Sequence, residues 1–344
     1  MVASRSTWWQ LAKVVLAVAV VVCVGWQFAG ILTTDGVWDA GLSVHPAGVA
    51  ASAVLYLAGL GCCAVFWHLL LRALGQQPRL PDVLRAFYVG QLGRYVPGKV
   101  VGLYVRARLL SGPGVGQRVA VLTVVCESLA MLTAGGLLAA VWLPLRGSDL
   151  AGLRWWSLGL LVVLGVPLFP GVFNRLVRRV APPPQGDEDA ALPPVRARIL
   201  AEGLGIEAAG WLLQGLSLWA LVEALVPGAL PWTVEGSLDV AAAVALAMVA
   251  GFVILLVPGG LGVRELILQQ LLAADLAAAL GPERAAATAV VAVLLLRLVW
   301  MVAELTTAGV LYLMPTSLRG LSRNDHAEFA AAAACQERAR SESV

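Results

Sequence analysis

The chain has 344 residues, of which 60% are apolar and only 13% charged, and its mean hydropathy is +0.84. Soluble domains carry about 25% charged residues, so this composition excludes an ordinary soluble enzyme and indicates a polytopic membrane protein with no nucleic-acid partner. The net charge of +3 is small as a total, but the placement of the 24 basic residues is uneven and sets an orientation.

A membrane-spanning helix needs about 20 apolar residues at 1.5 Å rise each. The first apolar run, Leu11 to Leu32, is flanked by Arg5 and Lys13. It exceeds the roughly 7–15 residues of a signal-peptide core, so an uncleaved first span is expected. Full spans are predicted at 11–32, 47–74, 119–143, 153–173, 199–226 and 285–313. Two further apolar segments, 83–110 and 239–276, each hold a Pro-Gly break, Pro97-Gly98 in one and Pro258-Gly259 in the other. Proline and glycine interrupt a helix, and broken backbone at membrane depth is tolerated only where protein or a water-filled cavity shelters it. Each segment is therefore drawn as two half-helices meeting at a turn, a hairpin entering and leaving by the same side.

The two breaks resemble each other. Val96-Pro97-Gly98-Lys99-Val100-Val101-Gly102 is matched 161 residues later by Val257-Pro258-Gly259-Gly260-Leu261-Gly262, and a basic residue, Lys99 or Arg264, follows each. Basic residues fall in segments flanking one side: Arg5; Arg72, Arg79, Arg85, Arg106, Arg108 and Arg118; Arg175, Arg178, Arg179, Arg196 and Arg198; Arg319 and Arg323. The opposite segments, 33–46, 144–152 and 227–238, contain only Arg146. The positive-inside rule then places both termini in the cytoplasm, with the break at Pro97 reached from inside and that at Pro258 from outside.

The expected fold is thus an all-α polytopic membrane protein of eight hydrophobic segments, six full spans and two re-entrant hairpins, arranged as an inverted-topology repeat. The first half is 1–180, a cytoplasmic linker covers 181–198, the second half is 199–315, and 316–344 is a cytoplasmic tail. The linker begins APPPQGDEDAALPP, which is proline-rich and acidic and so extended. Transporters commonly hold substrate between inverted repeats near the bilayer midplane. Small residues at Gly135-Gly136, Gly210 and Gly215 suit close helix packing, within one chain or in a homo-oligomer.

Charges inside spans are costly, about 2.5–3.5 kcal/mol at the bilayer centre on insertion scales, and so mark a pathway or a pairing. Glu127 lies about 14 Å from the inner end of its span, and Arg297 about 20 Å from the outer end of its own. In a core about 30 Å thick these depths nearly coincide, and an ion pair between them fits. Glu304 follows Arg297 by seven residues and returns to the same helix face, with Trp300 between. The plainer reading, in which these charges only hold helices together, stays open on the sequence. At the hairpins, half-helix N-termini reinforced by Lys99 and Arg264, with Arg94 and Arg106 nearer the cytoplasm, suit an anionic guest such as a phosphate. Arg108 reads better as a lipid-facing anchor. The twelve tryptophans read as interfacial anchors near span ends.

No GxxxxGK[ST] loop is present, the three histidines are scattered, and the five cysteines form no CxxC pair. No cofactor and no metal is expected, and intrinsic catalysis is not.

Gln91-Leu92-Gly93-Arg94-Tyr95-Val96-Pro97-Gly98-Lys99, the later Pro258-Gly259-Gly260-Leu261-Gly262-Val263-Arg264-Glu265, and Glu127 between them resemble the lysylphosphatidylglycerol synthetase-type transmembrane, flippase-like family over about 45–315. In bifunctional members a soluble domain aminoacylates phosphatidylglycerol and the membrane domain moves the product to the outer leaflet. The chain runs about 30 residues past its last predicted span, so the resemblance implies the translocating part without the synthetase part. The expectation is a translocase in the cytoplasmic membrane for an anionic phospholipid or a polyprenyl-phosphate-linked sugar. Lys99, Arg264, Arg94 and Arg106 would hold the head group. Glu127, Arg297, Glu304 and Glu265 would form a gating and proton-coupling network around breaks at Pro97, Gly98, Gly102, Pro258, Gly259, Gly260 and Gly262. Two rivals are a non-transporting partner that presents lipid to a separate synthetase or glycosyltransferase, docking through the linker, and an intramembrane lipid transferase.

Overall fold

A computed structural model describes residues 44–95, 100–111, 115–145, 165–180, 192–253 and 262–314. Among them the regular structure is helical: α1 (Pro46–Ala73), α2 (Leu80–Gln91) with a 3-10 turn at Leu92–Tyr95, α3 (Val100–Leu110), α4 (Gln117–Leu145), α5 (Pro170–Val180) after a 3-10 turn at Val166–Leu168, α6 (Ala197–Leu225), α7 (Val234–Val253), α8 (Val263–Leu280) and α9 (Pro282–Leu313). Helices α1, α4, α6, α7 and α9 are long and apolar enough to cross a membrane. The predicted spans at 47–74, 119–143, 199–226 and 285–313 correspond to α1, α4, α6 and α9. The predicted span 11–32, the linker residues 181–191 and the tail lie outside the described residues.

Two segments differ from expectation. Helix α7, expected as one arm of a hairpin, runs 20 residues and meets the length and hydropathy of a full span, because neither proline nor the Pro-Gly break falls within it. The described end of the 153–173 segment is not one continuous helix. Phe169 is extended ahead of Pro170, and α5 then continues to Val180 as an amphipathic helix that buries Phe173 and Val177 and carries Arg178 and Arg179 in its last turn. By contrast α2 and α3, at 12 and 11 residues, reach only about 16–18 Å at 1.5 Å per residue, too short to cross a core about 30 Å thick.

Local chemistry fixes the ends. Pro46 and Pro282 open α1 and α9 at a position whose N–H has no helical partner in any case. Gly281, at φ +77°, closes α8 and opens α9 at once, a corner that a side chain would strain.

The packing has a two-fold pattern. When α1 is paired with α6, α2 with α7, α3 with α8 and α4 with α9, each substantial contact among these helices has an exchanged counterpart. Thus α2–α3 answers α7–α8, α3–α4 answers α8–α9, and α4–α7 answers α9–α2, while the most extensive contact, α1–α6, is its own counterpart. The two cross-contacts are tied alike: Trp142 donates to Asp239 between α4 and α7, and Arg85 donates to the Tyr312 carbonyl between α2 and α9.

Small residues allow this closeness, and they do so within the chain. A Cβ on Gly210 would stand 3.0 Å from the Gly59 carbonyl, one on Gly135 would meet the Trp211 ring at 2.6 Å, and one on Gly215 would lie 2.5 Å from the Ala241 Cα. The last contact is with backbone, which cannot rotate away. Gly215→Val is therefore expected to force α6 and α7 apart and cost at least the roughly 1–3 kcal/mol typical of overpacking, read as a lowered unfolding midpoint in detergent. Trp67 and Trp211 also depart from the expected anchoring role, since both are fully buried. They clamp α4, through Thr123 Oγ1 and the Met131 carbonyl respectively.

Candidate functional site

Two clusters of charge sit inside this bundle. The first is enclosed. Arg106 on α3 donates to Glu127 on α4 at 2.7 Å, with Arg106 5% and Glu127 1% exposed. The guanidinium lies over the Phe87 ring at 4.1 Å and near Trp67 at 5.0 Å, and the absence of a side chain at Gly90 leaves room for its stem against α2. Glu207 on α6 and Cys63 on α1 complete the cluster, the Cys63 thiol donating to Glu207 at 3.0 Å.

This corrects the sequence expectation in two respects. Glu127 pairs with Arg106 rather than with Arg297, so the expected network of Glu127, Arg297, Glu304 and Glu265 is divided between two places. Equal depth in the membrane does not imply contact, because α3 packs directly on α4 and brings a closer cation. Arg106, expected to face a head group, is buried as the counter-ion of Glu127, whereas Arg108 is exposed. Sequence reasoning misses Glu207 and Cys63. The argument that singles out Glu127, a carboxylate in the middle of an apolar stretch, applies equally to Glu207.

The second cluster opens into a cleft of about 540 Å³, open solvent at its mouth included, between α1, α7, α8 and α9. Arg264, Glu265, Arg297 and Glu304 all line it, with Tyr56 and Trp300. Arg297 on α9 forms an ion pair with Glu265 on α8. Glu265 also acts within its own helix, where its other oxygen accepts the N–H of Gly262 at 2.7 Å and caps the start of α8. Gly262 can stand there because it has φ +87° and no side chain. Arg264 lies 3.9 Å from the same carboxylate and also reaches Met248 of α7. The N-terminus of α8 is thus partly neutralised by its own glutamate, and among the described residues the cationic groups lining the cleft are the Arg264 and Arg297 guanidiniums.

The back wall joins the halves. Tyr56 of α1 hydrogen-bonds Glu304 and stacks on Trp300 of α9, with ring centroids 4.2 Å apart and planes 7° from parallel. Trp300 in turn donates to Ser217 of α6, which bonds Ser52 of α1. The face of α9 read from the sequence, Arg297, Trp300 and Glu304, is the face turned to this cleft. Gly102 lies on α3. Pro97, Gly98, Lys99, Pro258, Gly259 and Gly260, together with the side chain of Arg94, fall outside the described residues.

The two ion pairs occupy exchanged positions in the packing scheme with their signs reversed. In the first half the cation is on α3 and the carboxylate on α4; in the second the carboxylate is on α8 and the cation on α9.

Comparison with protein families decides the relationship, since the lysylphosphatidylglycerol synthase TM region matches residues 10–303, most of the chain. The chain belongs to this family. No curated protein matches it. As a member of the lysylphosphatidylglycerol synthase TM family it is a multi-pass membrane protein related to lipid handling.

Proposed function

We propose that this lysylphosphatidylglycerol synthase TM protein moves an anionic phospholipid or a polyprenyl-phosphate-linked sugar between the leaflets of the cytoplasmic membrane. The observation that carries the reading is the convergence of Arg264 and Arg297 on one open cleft whose wall includes Tyr56 from the other half of the chain. Guanidiniums bind phosphate through paired charge-assisted hydrogen bonds, so a head group would exchange Glu265 for phosphate on Arg297 while the hydrophobic chains stay in the bilayer.

The exchangeable packing scheme supports an inverted-topology repeat, and the shortness of α2 and α3 supports a re-entrant first hairpin. In this scheme both termini are cytoplasmic, and opening of the cleft alternates with opening on the opposite side. The lipid leaves chemically unchanged, supplied by a separate synthetase or glycosyltransferase.

The test is leaflet exchange of labelled lipids in liposomes containing the purified chain, comparing phosphatidylglycerol, a polyprenyl-phosphate sugar and a zwitterionic lipid. Exchange of one anionic lipid is expected, slowed by Arg297→Ala or Arg264→Ala by roughly 10–100-fold, the factor matching about 1.5–3 kcal/mol for a lost charge-assisted hydrogen bond. Equal rates for all three lipids, or no exchange by folded protein under an imposed proton gradient, would reject the reading. Conversion of the labelled lipid to a new product would instead establish a transferase.

A further inference from the structure

We infer that Cys63, Glu127 and Glu207 form a binding site for a divalent metal ion of the zinc class, separate from the lipid cleft. One ligand atom from each of the three lies within 4.8 Å of the other two, and all three residues are buried at 1% exposure. They come from three helices, α1, α4 and α6, so the site is assembled by the fold and not by one stretch of sequence.

A second observation points to a guest. Each carboxylate has its Oε2 engaged, on Arg106 and Ser128 for Glu127 and on the Cys63 thiol for Glu207. Each also keeps its Oε1 buried without a hydrogen-bond partner among the described residues. Buried polar atoms are ordinarily satisfied, and a buried carboxylate oxygen without a partner is costly.

Charge gives the valence. Arg106 contributes one positive charge, whereas the two carboxylates and a Cys63 thiolate contribute three negative ones, so a dication makes the enclosure neutral. The ligand set gives the type. A thiolate with two carboxylates suits a borderline-soft ion at about 2.0–2.3 Å, whereas calcium needs six to eight oxygens and magnesium a regular octahedron. Tetrahedral oxygen and sulfur ligands around zinc stand about 3.3–3.5 Å apart, so a contraction of at most about 1.5 Å suffices. Binding breaks the Cys63 S–H bond, releases its proton to solvent and forms the sulfur–metal bond. The metal would tie α1, α4 and α6 together at the centre of the bundle.

The experiment uses the full chain in detergent, stripped with chelator and titrated with Co²⁺, whose thiolate complexes absorb in the near ultraviolet. One cobalt per chain with that absorption is expected, displaced by Zn²⁺ and untouched by Mg²⁺ or Ca²⁺. Cys63→Ser should remove the thiolate band, Cys62→Ser and Cys126→Ser should retain it, and Glu207→Gln should weaken binding by at least the roughly 10–100-fold that loss of an outer-shell partner costs. No cobalt uptake by monodisperse helical protein would overturn the inference and leave a proton as the neutralising guest. A band unchanged in Cys63→Ser, or lost in Cys62→Ser or Cys126→Ser alone, would also overturn it. The readout requires no lipid movement, so it stands or falls separately from the translocase reading.

Discussion

Arg106→Ala is expected to destabilise the folded chain by about 3–5 kcal/mol, the loss typical when one partner of a buried ion pair is removed and the other left in place. The reason is the company Glu127 keeps. With Arg106 present its carboxylate has a cation at 2.7 Å; without it, Glu127 and Glu207 are two buried carboxylates in one enclosure with no cation in contact among the described residues. The stem of Arg106 also fills space between Phe87, Trp67 and the backbone at Gly90, so truncation removes packing as well as charge. Unfolding midpoints in detergent, read by tryptophan fluorescence or circular dichroism, measure the loss. The double change Arg106→Leu with Glu127→Leu should recover much of it, because no unpaired charge from that pair then remains. Equal losses in the single and double variants would show that packing alone is responsible.

The same cluster shows where sequence reasoning reaches and where it stops. The spans at α1, α4, α6 and α9 are legible because a predominantly apolar stretch of about 20 residues or more leaves few other options. Glu127, Arg297 and Glu304 are legible as individuals because a charge inside such a run is expensive. Their partners are not. Whether Glu127 faces Arg106 or Arg297 depends on which helices touch, and a linear sequence gives depth along one helix without direction toward another. Cys63 has no signal of its own, being a small apolar-tolerant residue in a long apolar helix until Glu207 is brought beside it. The length of α7 is obscured for a different reason: Pro258 draws attention to where a helix must have ended, whereas the uninterrupted run before it is long enough to span by itself.

The repeat of Pro-Gly breaks suggests two related halves, and the packing scheme extends the idea to contacts no motif records. The α4–α7 contact has its counterpart in α9–α2, each joining the fourth helix of one set, α1–α4 or α6–α9, to the second helix of the other. Sign reversal between Arg106–Glu127 and Glu265–Arg297 then distinguishes the halves chemically. One pair is closed off from solvent by Trp67 and Phe87, and the other is left on an open cleft. The shared scaffold thus holds one buried charge cluster and one that lines an open cleft.

Exchanging the charges of the accessible pair should separate those two duties. Arg297→Glu alone places three carboxylates, with Glu265 and Glu304, on one cleft, and Glu265→Arg alone sets three guanidiniums, with Arg264 and Arg297, on it while removing the cap from Gly262. Both single variants are expected to lower the unfolding midpoint and to stop lipid exchange. In the double variant Glu265→Arg with Arg297→Glu, attraction between α8 and α9 returns, and a coupling of about 0.5–3 kcal/mol should restore part of the stability. Lipid exchange should not return with it. The cation now lies on α8 instead of α9, away from the face shared with Trp300 and Glu304, and the Gly262 N–H has lost its acceptor. Recovery of exchange in step with stability would show that the pair only holds helices together and that the head group binds elsewhere. Restored folding with exchange still absent would show that lipid movement needs these charges where they stand, Arg297 on the α9 face with Trp300 and Glu304 and Glu265 capping Gly262, and not merely attraction between α8 and α9.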